Sequence, residues 1–151
     1  MNKVLYIILI SFFSLTVISC AKKSDTSSST SSTTTDNTTT TSSGLFVAVG
    51  AEGTLLTSSD GANWTAQTSG TSSNLRAVAY GNSTLVVVGF SGTILTSSDG
   101  TTWSSKTSGT SEDLWGVTYG NSTWVTTGDN ETILTSSDGT TWTLGRLLVQ
   151  Q

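Results

Sequence analysis

Apolar side chains are distributed along this chain in three regimes. Val4 to Val17 is an apolar stretch interrupted only by Ser and Thr, whereas Ser24 to Ser43 is Ser or Thr at every position except Asp25, Asp36 and Asn37. From Leu45 onward short apolar runs alternate with Gly-containing turns. The fullest unit of this last regime runs from Leu75 to Asp113. Leu75 to Tyr80 alternates and leads into a turn at Gly81-Asn82-Ser83, Leu85 to Val88 is continuously apolar, and Gly89 to Gly92 turns again. Thr93 to Thr96 and Trp103 to Thr107 complete four short strands. Short strands separated by Gly-containing turns predict an antiparallel meander. The continuous run Leu85 to Val88 predicts a strand covered on both faces, as in stacked sheets. No helical periodicity follows residue 20.

The unit repeats. Ser58-Ser59-Asp60-Gly61-Ala62-Asn63-Trp64 returns as Ser97-Ser98-Asp99-Gly100-Thr101-Thr102-Trp103 and as Ser136-Ser137-Asp138-Gly139-Thr140-Thr141-Trp142, with the Asp residues 39 positions apart each time. A fixed period in this range marks a repeat architecture whose units bury their apolar faces against one another. Each phrase joins the third strand of a unit to the fourth. Gly61, Gly100 and Gly139 reach positive φ without steric cost, and Asp60, Asp99 and Asp138 can accept hydrogen bonds from nearby backbone N–H groups. Trp64, Trp103 and Trp142 return a large apolar surface over the hairpin or the next sheet. These residues are expected to build rigid turns.

The phrase resembles the Asp-box, or BNR repeat, of sialidase-type β-propellers, Ser-x-Asp-x-Gly-x-Thr-Trp, with Gly here directly after Asp. Related repeats occur in the family of the photosystem II stability and assembly factor. The resemblance covers nearly all of residues 45–143. It implies an all-β fold, a partial β-propeller of about three four-stranded antiparallel blades within residues 44–151, with Asp-boxes at 58–64, 97–103 and 136–142. Blade one begins at Leu45-Phe46-Val47 with no apolar first strand in the Ser/Thr tract before it. Three accounts fit: a truncated array, a ring completed by other chains with Leu147-Leu148-Val149 lending a first strand, or an open stack whose more polar last unit is a cap.

The N-terminus bears on location. Lys3 forms a small positive region before the apolar stretch, and that stretch is short for a membrane span of roughly 20 residues. Residues 1–19 read as a cleaved signal peptide. Val17-Ile18-Ser19-Cys20 looks like a bacterial lipobox, which implies acyl chains such as palmitate on Cys20, the chain's one cysteine. Several acyl chains on one residue anchor firmly. Ala21 after the Cys implies the outer membrane in a Gram-negative cell. Residues 20–43 then form the lipidated Cys and a disordered tether, since the tract has no apolar groups to offset the entropy of ordering. Twenty such residues reach roughly 25 Å.

Composition narrows the function. The part from Gly44 contains no His and no Pro, and sets Arg76, Lys106 and Arg146 against Glu52, Asp60, Asp99, Glu112, Asp113, Asp129, Glu131 and Asp138. Mild acidity without a basic stripe argues against nucleic acid. The three arginines and the Tyr with its Glu that sialidases use are not matched, and Glu112 and Asp113 are adjacent rather than opposed across a cleft. No enzyme, cofactor or metal is therefore expected. A binding function should lie where the repeats differ: Arg76 corresponds to Trp115 and Leu85 to Trp124, while the turns carry Phe90-Ser91 in one copy and Asp129-Asn130-Glu131 in the last. Arg76, Trp115 and Trp124 are the candidate ligand contacts, for a protein or glycan at the cell envelope; the plainer reading of both tryptophans is core filling. The alternatives are a non-functional fragment of a longer surface lipoprotein and, ranked last, a glycosidase-related protein.

Overall fold

The structure, a computed structural model, describes residues 17–23 and 44–145. Residues 1–16, most of the segment read as a signal peptide, the Ser/Thr tract at 24–43 and residues 146–151, with Arg146 and Leu147 to Val149, lie outside the described residues. Within them the chain is all-β and forms three four-stranded antiparallel sheets, each a meander in chain order. The first sheet contains β1 (Val17–Lys23), β2 (Leu45–Gly50), β3 (Leu55–Ser58) and β4 (Thr65–Ala66), with a short 3-10 turn at Ala51–Gly53. The second contains β5 (Leu75–Gly81), β6 (Thr84–Gly89), β7 (Ile94–Ser97) and β8 (Ser104–Lys106). The third contains β9 (Leu114–Gly120), β10 (Thr123–Gly128), β11 (Ile133–Ser136) and β12 (Thr143–Leu144).

The strands expected between Leu75 and Thr107 are β5 to β8, displaced by a residue at most at their starts. In the second and third sheets the first hairpin closes through two residues, Asn82-Ser83 and Asn121-Ser122, all four at positive φ. Two consecutive left-handed residues make the turn whose twist matches that of paired strands.

The first sheet differs. Its inner strand precedes the Ser/Thr tract: Val17 pairs with Gly50 as Leu75 pairs with Gly89 and Leu114 with Gly128, and Lys23 pairs with Leu45. The first unit thus begins at Val17, not Leu45. The tract occupies the place of the two-residue turn, which stretches the spacing from Val17 to Leu75 to 58 residues and hides the strand from a search at the 39-residue period.

Packing follows from the pleat. In β6, Leu85 and Val87 face the first sheet, where they join Val47, Val49, Leu55, Leu75, Val78 and Leu95. Val86 and Val88 face the third, joining Ile94, Leu114, Trp124 and Leu134. All four β6 side chains are fully buried, which is why that strand reads as an unbroken apolar run. β5 lies between β1 and β9 and touches both, so the innermost strands run side by side.

Candidate functional site

Strand alternation sorts the connections to two ends. At one end lie the two-residue hairpins and the Ser-Ser-Asp-Gly turns. At the other lie the starts of β1, β5 and β9, the turns after β2, β6 and β10, and the linkers between sheets.

The Ser-Ser-Asp-Gly turns share one pattern of hydrogen bonds. The Ser97 hydroxyl donates to Asp99 Oδ1 at 2.9 Å while its oxygen accepts from Gly100 N–H at 2.8 Å. Asp99 Oδ1 also accepts from the N–H groups of Thr101 and Thr102, each at 2.8 Å, and the Trp103 indole N–H donates to Gly100 O at 3.0 Å. Asp60 and Asp138 repeat the pattern. Backbone donors aimed at a carboxylate favour its charged form. They hold all three carboxyls well below the ordinary 3.8, led by the N–H of Asn63 for Asp60, Thr102 for Asp99 and Thr141 for Asp138.

The position of a sheet in the stack decides what its turn covers. Gly100 sits against Leu45 of the first sheet and Leu85, and Gly139 against Trp124 and Val86 of the second. Trp103 and Trp142 pack on the first and second core clusters respectively. Trp64, with no preceding sheet to cover among the described residues, is 39% exposed. These residues are committed to turns and packing.

Trp124 is a correction. Its side chain has no accessible surface, lies between the second and third sheets and packs on Tyr119 at 4.9 Å between ring centroids. At the repeat position of Leu85, Trp124 fills the core and offers a ligand no surface.

The other two candidates converge at the opposite end. The ladders between β5 and β6 and between β9 and β10 slip by one residue between Leu75 and Ala77 and between Leu114 and Gly116. Arg76 and Trp115 are therefore the extra residues of equivalent β-bulges, which re-aim side chains at sheet rims. The Arg76 guanidinium lies 4.1 Å from the Phe90 ring centroid and 5.0 Å from that of Trp115. Phe90 and Trp115 meet edge to face at 5.4 Å. Each such contact contributes on the order of 0.5 to 2 kcal/mol. The Trp115 indole N–H donates to Asp129 Oδ1 at 2.6 Å, yet Trp115 remains 46% exposed. Arg76 Nε is buried with no hydrogen-bond partner among the described residues.

Backbone and side-chain bonds fix this end. Ser91 N–H donates to Asp113 Oδ1 at 2.8 Å, Phe90 N–H to Asn74 O at 2.9 Å and Asp129 N–H to Asp113 O at 2.9 Å. Asn130 Nδ2 donates to Glu112 Oε2 at 2.7 Å. Beyond Asp129 opens a cleft of about 410 Å³ lined by Thr110, Glu112, Asn130 and Glu131 together with the exposed Leu144. The site is thus a preformed surface with one exposed aromatic, one ring-stacked cation and hydrogen-bonded carboxylates. Phe90 and Asp129 were legible as points of divergence between repeats; their contact with Arg76 and Trp115 across two sheets was not. No family model and no curated protein matches this chain.

Proposed function

We propose that this chain is a cell-envelope lipoprotein anchored through Cys20, whose three sheets are blades of a partial Asp-box β-propeller, and that it works by binding rather than catalysis. One observation carries the binding reading: Arg76, Phe90, Trp115 and Asp129, all at positions where the repeats diverge, meet in a single partly exposed cluster. Divergence without selection would scatter such residues over both ends and both faces. The lipoprotein reading is supported by Lys3, the apolar run and Val17-Ile18-Ser19-Cys20. Against catalysis, the chain has no His, and Glu112 and Asp113 serve as hydrogen-bond acceptors within the linker.

The test is direct. The chain recovered from a bacterial envelope is expected to begin at an acylated Cys20 by mass spectrometry. Iodide quenching, compared between wild type and Trp115→Phe, should show the Trp115 indole shielded in isolated envelopes and accessible after detergent extraction. Equal accessibility in both states removes the binding reading, and an intact residue 1–19 segment removes the lipoprotein reading.

A further inference from the structure

We infer that the end of the molecule bearing Arg76, Phe90 and Trp115 rests on the zwitterionic headgroup layer of the protein's own membrane. This rests on the lipoprotein reading above and adds to it an orientation and a partner.

Consider first the chain around Cys20. Cys20 lies at the centre of β1, opposite Ala48 in the ladder, and neighbouring Ala21 packs on the core shared by the first and second sheets. The two ends of the tract are held together, because Lys23 and Leu45 are ladder partners. Directly paired residues lie about 5 Å apart at their Cα atoms, so the distance from Cys20 to the first sheet is set by β1 itself. Cleavage before Cys20 removes Val17 to Ser19 and leaves Cys20 to Lys23 against Leu45 to Ala48. The new N-terminus points along the strand toward the bulge end, three residues or about 10 Å short of it. An acyl chain on the α-amino group of that terminus leaves toward the end where Arg76 and Trp115 stand.

The chemistry of that end suits the headgroup layer. An exposed indole prefers the membrane interface, where its apolar body and polar edge are both accommodated. Arg76 supplies a cation for phosphate. Among the described residues, exposed Glu52, Asp129 and Glu131 share this end with Arg76 and Lys106, so carboxylates outnumber cations there. That balance matches a headgroup carrying both phosphate and ammonium and opposes an anionic surface, to which polybasic segments are drawn.

The full acylated chain, its mass recorded, is reconstituted into phosphatidylethanolamine and phosphatidylcholine vesicles whose acyl chains carry bromine, a contact quencher of indoles. Strong quenching is expected, with most of it lost in Trp115→Phe and retained in Trp64→Phe, since Trp64 lies at the opposite end. Both residues are exposed, so neither change opens the core. Added anionic lipid should weaken the Trp115-dependent part. Absent quenching in a chain whose mass shows acylated Cys20, or quenching lost in Trp64→Phe instead, overturns the orientation and leaves the lipoprotein reading standing. A chain without acyl groups overturns both. Shielding of Trp115 by a soluble glycan, with no response to vesicles, assigns the cluster to a glycan and overturns the bilayer assignment.

Discussion

A single carboxylate organises each Ser-Ser-Asp-Gly turn, and its acidity makes the turn sensitive to pH. Because donors to Asp60, Asp99 and Asp138 lower each folded pKa beneath 3.8, their stabilisation is complete above that value and is withdrawn as pH falls through the lower folded values. Asp99→Asn is expected to lower the urea midpoint at pH 6, with the gap to wild type narrowing toward pH 2. A gap independent of pH would show that charge is irrelevant to the turn. The following glycines offer a second residue-scale test. Gly61, Gly100 and Gly139 share φ of 74 to 79°, so alanine imposes the same left-handed backbone cost of about 1 kcal/mol or more at each. Their surroundings differ: an added Cβ falls on Leu45 Cδ2 at Gly100, lies 3.2 Å from Trp124 Nε1 at Gly139 and 3.8 Å from Phe46 at Gly61. Thermal unfolding should rank the losses Gly100→Ala, then Gly139→Ala, then Gly61→Ala, and a flat ranking would deny the turn its part in joining the sheets.

At the scale of elements, β1 is where local pattern and long-range pairing part company. The four strands of the second sheet were legible because apolar alternation and turn residues follow one another without interruption from Leu75. β1 was not, because its sequence, Val17-Ile18-Ser19-Cys20-Ala21-Lys22-Lys23, lies within a segment whose local features suit a signal peptide's end. Only its register against β2 reveals it as the equivalent of β5 and β9. A chain starting at Gly44 lacks this strand, leaving the β2 edge unpaired and the cluster around Val47 and Leu75 uncovered on one side. Exposed edges template association. That fragment is expected to unfold at lower urea than the full chain and to form heterogeneous oligomers in light scattering; a stable monomer of unchanged midpoint would show that β1 contributes little.

At the scale of the whole molecule, the three sheets of the described residues share two buried interfaces. The third sheet turns Thr118 and Thr127 outward, both exposed, where the second sheet presents Ala79 and Val88 to its neighbour. A hydroxyl-lined depression of about 330 Å³ between Thr123, Thr135 and Thr143 lies on the same outward side. Such a face offers a further sheet little apolar surface to pack on. The protein, extracted in detergent if Cys20 is acylated as proposed, is therefore expected to carry one copy per particle by light scattering, whereas a discrete dimer or trimer would support the ring account. The sequence by itself determined the repeat, its four strands, the turns and the points of divergence, because periodicity, glycine conformation and carboxylate capping act within a few residues. It could not decide which apolar tryptophan is buried. Trp115 and Trp124 look alike in a strand pattern, but a bulge sends one to the rim and the pleat sends the other into the core. Nor could it decide where the first sheet begins, since pairing across the Ser/Thr tract depends on a neighbour that is distant in the chain and close only once folded.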